Sequence, residues 1–274
     1  MTKNLMIGAA AVVTAAFGAS AAEASAVYSA EATTTLTLVS VTNVTNAEAG
    51  DSELQFAIVT SLDQEGSDTT GDATAMTDFL LNPFENGFGV IQNSLAPSDA
   101  LTNAGFVSGT AADGTSSAFV STAGDMFMEN LSLTDTFEVS FELTYDLFAS
   151  AMVDDPSAET ANAGAFALVE SDLLGDVTGS ILQDGISTAL SELVLDLTLE
   201  PTAADGALSD SGSMLLTFVV SPGAAVNMFM FADVLGDGVG IADMGTDPIP
   251  LPGALGFMAF GAAGLAALRK RKAA

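Results

Sequence analysis

The first chemistry this sequence suggests is a calcium loop at Asp233-Val234-Leu235-Gly236-Asp237-Gly238-Val239-Gly240-Ile241-Ala242-Asp243. Asp233 and Asp237 are four apart, and a glycine follows the second acid where such a loop turns sharply. Leu235 stands where another oxygen ligand belongs, and the closing acid, Asp243, comes one residue early and is not glutamate. Calcium takes about six to eight oxygens, so the loop falls short by itself. The plainer reading is an Asp-Gly turn between two strands, with calcium the one cofactor the pattern admits. Glycoside hydrolysis needs only two carboxylates. Glu138 and Glu142 share one face of a strand. They lie roughly 13 Å apart at about 3.3 Å per residue, beyond both the retaining and the inverting separation. With 35 acidic residues such pairs arise by chance, and nothing marks one as set among apolar groups.

Other chemistries are excluded by composition. The chain has no His and no Cys, hence no imidazole base, thiol nucleophile, zinc cage or disulfide. It has no Trp, and its only tyrosines are Tyr28 and Tyr145, with Tyr145 on the apolar face of a strand, so a sugar-stacking platform is not expected. The five cations are Lys3, Arg269, Lys270, Arg271 and Lys272, whereas every acid except Glu23 lies between Val27 and Asp247. A body without a cation cannot neutralise a phosphate backbone, which excludes nucleic acid as a partner. Its self-repulsion is screened by salt, so its melting temperature should rise with NaCl.

The two ends read as addresses. Lys3 precedes an apolar run at 5–17 and two Ala-x-Ala steps, Ala19-Ser20-Ala21 and Ala24-Ser25-Ala26. That order is the grammar of a signal peptide, assigned to 1–26 with cleavage at Ala24 and Ala26, and the run is too short to span a bilayer. At the other end a Pro-rich step, Pro248 to Pro252, leads into an uncharged run ending at Leu268 and then Arg269-Lys270-Arg271-Lys272. As a helix, 251–268 would rise roughly 27 Å, about one hydrocarbon thickness. The basic cluster would hold its end in the cytoplasm.

The order of Pro motif, apolar helix and basic end resembles the PEP-CTERM class of sorting signals. The nearest form is the VPLPA variant, here Ile249-Pro250-Leu251-Pro252-Gly253, with Ile249 for Val and Gly253 for Ala. The resemblance covers 248–274. It implies recognition by an exosortase-like membrane enzyme, removal of the helix, and delivery to the surface of a Gram-negative bacterium. Proteins bearing this signal are commonly associated with exopolysaccharide and biofilm matrix. The sortase pattern Leu-Pro-x-Thr-Gly is not met by Leu251-Pro252-Gly253-Ala254-Leu255.

Between the addresses the hydrophobic period is two. From Phe137 to Leu147, large apolar groups alternate with polar ones at every step, which predicts a half-buried strand. Similar stretches lie at 34–44, 53–60, 117–122, 126–133, 163–169, 192–200, 214–221 and 226–234. Loops are expected at 66–75, 111–116, 154–162 and 202–213, and a hairpin across Ser221-Pro222-Gly223. The segments 80–92 and 172–190 are ambiguous and could include a short helix. The expected body, 27–247, is one all-β domain, an antiparallel sandwich of jelly-roll-like or Ig-like form. It is flanked by the signal-peptide helix and a C-terminal transmembrane helix. The functional expectation is an exported, non-enzymatic surface or matrix protein. Its partners would be the processing enzyme, the membrane before cleavage, and exopolysaccharide. A calcium-dependent adhesin or glycan-binding module is the alternative, and an extracellular glycosidase the third reading.

Overall fold

The computed structural model of the chain describes residues 26–47, 50, 53–82, 90–92, 97–190, 193–201 and 206–241. Every regular element among them is a strand: β1 (Ala26–Asn43), β2 (Leu54–Asn82), β3 (Val90–Gln92), β4 (Ala100–Asn130), β5 (Phe137–Val153), β6 (Thr160–Leu174), β7 (Val177–Gln183), β8 (Ile186–Leu190), β9 (Leu193–Leu199), β10 (Ala207–Val220) and β11 (Ala225–Gly240). All pairings are antiparallel, in one 11-stranded sheet of order β8-β7-β10-β5-β1-β4-β11-β6-β9, with β2 along β4 and β3 on β2. The expected all-β, antiparallel body is therefore present.

The sheet curls because its longest ribbon folds back on itself. β4 pairs with β1 through its first half, up to Ala111, and with β11 through its second, from Gly114. β2 follows β4 along both halves. At the junction Gly71 (φ 68°) and Gly114 (φ 131°) sit opposite each other in backbone conformations that L side chains rarely adopt. Both strands bend there together. Beyond the bend Thr77 Oγ1 donates to Glu65 Oε1, and Ser116 Oγ donates to the Thr74 carbonyl at 2.5 Å. The flank built on β1, β5 and β10 thus faces the flank built on β11 and β6. Asn103 Nδ2 reaches across to the Met230 carbonyl at 3.3 Å, and the Gly236 backbone lies against the Tyr28 ring.

The core between the flanks has two parts of different grain. One is packed with large groups, among them Leu38, Phe56, Met128, Phe137, Phe141 and Phe218. Within it Phe141 and Phe218 meet edge to face, with centroids 6.5 Å apart. Such a pair contributes about 0.5–1.5 kcal/mol beyond the area it buries. The other part is walled by alanines from β1, β5 and β6, with Tyr28 as the aromatic ring among them. Fully buried Thr34, Asn103 and Thr122 lie within this interior as well. Small residues let two sheets approach closer than the usual ~10 Å, and this part lies at the bend end of β4, where Ala26 pairs with Ala111.

Several expectations are corrected. The segments 66–75 and 111–116, expected as loops, lie within β2 and β4. Their Gly, Ser, Thr and Asp residues are tolerated because the ribbon is exposed there and Gly71 and Gly114 supply the bend. The hairpin expected across Ser221-Pro222-Gly223 does not form. β10 pairs with β5 and β7, while β11 pairs with β4 and β6, so this turn carries the chain from one flank to the other. Of the ambiguous 172–190, the latter part is a hairpin of β7 and β8. It turns at Asp184 (φ 51°) and Gly185 (φ 78°), both left-handed as a type I′ turn demands. The helices expected at 1–26 and 251–268 lie outside the described residues except for Ala26, which is strand. The last strand runs to Gly240, and the expected boundary at 247 lies outside the described residues.

Candidate functional site

The outer face of the second flank differs from an ordinary solvated sheet. Along β11 the even-numbered residues Val226, Met228, Met230, Ala232 and Val234 are buried inward. The odd-numbered set that points away still includes Phe229, Phe231, Leu235 and Val239. Register places Phe127 beside Asn227, Asp125 beside Phe229, and Phe119 beside Leu235 on β4. On β6, Phe166 lies beside Asp233 and Leu168 beside Phe231. Phe119 and Leu235 are 43% and 42% exposed, too much for single side chains that happen to be apolar when they sit side by side. The rings lie flat on the sheet. Phe119 covers its cross-strand partner Gly66, where a Cβ would run into the ring, and Phe166 covers Gly164 in the same way.

Carboxylates are set into this apolar surface. Asp125 Oδ1 and Asp233 Oδ1 are buried without a hydrogen-bond partner, as is Asn227 Oδ1. Asn162 Nδ2 donates to Asp237 Oδ2 at 3.1 Å across the β6–β11 pairing. Burial raises the Asp125 carboxyl above its usual range, because lost hydration disfavours the charged form. No Lys, Arg or His occurs anywhere between 4 and 268, so the body cannot supply a counter-charge of its own.

Of the calcium loop expected at Asp233, Asp237 and Asp243, two acids are described. Asp233 and Asp237 both belong to β11, in extended backbone paired on both edges, and not to a turn. Four residues of strand hold their Cα atoms roughly 13 Å apart, too far for two carboxylates to share an ion. The plainer reading, an Asp-Gly turn, fails on the same ground. Asp243 lies outside the described residues, and among those described no three acidic side chains gather as a metal cluster. Of the cleavage residues, Ala26 is the fully buried first residue of β1, paired with Ala111 and Val153. Ala24, the sorting motif Ile249, Pro250, Leu251, Pro252 and Gly253, and the cluster Arg269, Lys270, Arg271 and Lys272 lie outside the described residues. Glu138 and Glu142 are both exposed on the outer face of β5, as the strand pattern predicts.

Sequence reasoning missed the phenylalanine face, although a signal for it was present. Met228-Phe229-Met230-Phe231-Ala232 is apolar at every position, which is the mark of a strand covered on both sides. It also missed one acidic pair. Glu31 on β1 lies between Phe106 and Phe148 in the pairing, with Asp146 diagonal to it on β5. Burial first, then the charge of Asp146, raises the Glu31 carboxyl; burial likewise raises Asp146.

These raised carboxyls predict acid stabilisation. Each holds its proton more tightly in the folded chain than in the unfolded one. Its contribution is complete below the ordinary carboxylate range and is lost as pH climbs through the raised value. Asp155 acts in the opposite sense, being held low by hydrogen bonds from the Ser157 hydroxyl and backbone NH, but it is fully exposed. Thermal melts at constant ionic strength should therefore show a higher melting temperature at pH 5 than at pH 7.5. Glu31→Gln should flatten part of that slope; a melting temperature that falls on acidification would refute the assignment.

No family model matches the chain, and no curated protein sequence matches it. Among solved structures, the secreted serine protease VesC from Vibrio cholerae aligns with 64% of this chain at 8% identity and a TM-score of 0.12. The aligned region spans 46% of that protease. A likeness so slight bears on neither fold nor activity. What the body defines is a class, an acidic all-β antiparallel protein.

Proposed function

We propose that this chain is an exported, non-enzymatic surface or extracellular-matrix protein, sorted by a signal of PEP-CTERM type and associated with exopolysaccharide. The observation that carries the reading is the confinement of all five cations to Lys3 and 269–272, at the outer ends of two apolar runs. In this reading the N-terminal run directs export across the inner membrane of a Gram-negative bacterium. The C-terminal helix holds the precursor until an exosortase-like enzyme cuts at Ile249 to Gly253. The body between them is a single antiparallel sandwich of Ig-like or jelly-roll-like form. Its curled sheet, with a shared core between facing flanks, supports that description.

The burial of Ala26 bears on the first cut. Cleavage after Ala21 leaves β1 whole, whereas cleavage after Ala26 removes its first paired residue. Intact mass spectrometry of the protein extracted from the cell surface tests the whole route. The expected mass begins at residue 22 and ends within 249–253. A full-length mass recovered from the cytosol would overturn the proposal.

A further inference from the structure

We infer that the outer face of the second flank, where Phe119, Phe166, Phe229, Phe231 and Leu235 surround Asp125 and Asp233, is a docking surface for a cationic polypeptide with an apolar face. This inference does not depend on where the protein is delivered. Two observations fix the partner's chemistry. The first is the apolar stripe itself, which runs across β4, β11 and β6 on a face that points away from the core. Covering Phe119 and Leu235 would remove from water the apolar area that makes this face unusual.

The second is charge. Asp125 and Asp233 lie within the stripe, each with one oxygen buried and unpartnered, and the body has no cation to meet them. A second copy of this body would bring the same negative charge to the contact and be repelled. So would a membrane rich in anionic lipid, or a nucleic acid. A polypeptide that alternates Lys or Arg with Leu or Ile complements both features. Its cations can meet the carboxylates and lie over phenylalanine faces while its apolar residues cover the rings.

The test uses the full chain in mild detergent and a fluorescent synthetic helix of Leu and Lys arranged with one apolar face. A helix with Glu in place of Lys and one with Ser in place of Leu serve as comparisons. Anisotropy titration should show saturable binding of the Leu/Lys helix that weakens with salt, and at least tenfold weaker binding of the other two. Phe119→Ser combined with Leu235→Ser should weaken binding at least tenfold. Asp233→Asn, which keeps shape and removes charge, should weaken it several-fold even where the double variant folds poorly. Glu138→Gln with Glu142→Gln removes two charges from the opposite flank and should change binding less than twofold. A loss from the glutamate pair as large as that from Asp233→Asn would mean general charge attraction and overturn the inference. So would failure of the Leu/Lys helix to bind.

Discussion

Tyr28→Ala is expected to cost about 3–5 kcal/mol of stability, the range for deleting a buried aromatic ring. Tyr28 is fully buried in the alanine-lined part of the core, whose cluster it shares with Ala26, Ala30, Ala111, Ala118 and Ala163. Alanines have no longer side chain to swing into the space, so the cavity would persist and the cost should fall in the upper part of that range. The phenol also carries a hydrogen bond. Ser116 Oγ gives its only proton to the Thr74 carbonyl, so the Tyr28 hydroxyl donates to Ser116 Oγ, 3.0 Å away. Tyr28→Phe therefore loses one bond while Ser116 keeps its other partner, at about 1 kcal/mol. The ring and Gly236 form a coupled pair, because a Cβ at 236 would overlap the ring. Gly236→Ala should destabilise the native chain yet be nearly neutral once Tyr28 is alanine. Urea melts of the two single variants and the double variant measure that coupling; simple additivity would show that the ring is not wedged as described.

Asn130→Ala is expected to cost about 3 kcal/mol, by a different mechanism: the stranding of buried polar groups. Asn130 ends β4 and is fully buried. Its Nδ2 donates to the carbonyls of Asp135 (2.8 Å) and Val220 (2.9 Å), and its Oδ1 accepts from the Ser132 NH (2.9 Å). Its backbone NH and carbonyl pair with Ala224 and Gly223. One side chain thus ties together the end of β4, the 131–136 loop and the turn that carries the chain between flanks. Truncation removes a partner from two carbonyls and an NH, each costing on the order of 1–3 kcal/mol where the group is left unpaired and dry, offset where water enters. Asn130→Asp keeps the shape but turns a donor toward two carbonyls into an acceptor. It should be worse than alanine at pH 7 and recover on acidification, when the protonated carboxyl again offers a donor at one oxygen. Chemical denaturation at pH 7 and pH 4.5 distinguishes the two variants, and an aspartate variant as stable as the native chain at pH 7 would discard this account.

The strand class was legible wherever one face is buried and the other wet. Phe137 to Leu147 alternates and is strand, with inward Phe137, Val139, Phe141, Leu143 and Leu147 all buried. Tyr145 is inward too and covers Gly212 on β10. Legibility failed where composition and local geometry point to different structures. Ser67 to Ala75 reads as loop by residue type, yet it is the exposed half of a ribbon held by pairing with β4. Pro222-Gly223 reads as a hairpin because such a turn reverses the chain, but residue type does not say whether the next strand lands in the same flank. The Asp184-Gly185 turn carries a clear hairpin signal inside a segment whose periodicity is ambiguous. The candidate face was hidden for another reason. A fully apolar strand looks the same whether its second face is covered by this chain or by another molecule.

The shared ribbon has a consequence for how the body comes apart. β2 and β4 each serve as backbone to both flanks, so neither flank has a complete set of hydrogen-bonded neighbours without the other. Loss of one flank strips half the partners from the strands that remain and opens the common interior to water. Such a body has no stable half-molecule to pause in, and its unfolding should be a single cooperative event despite its length.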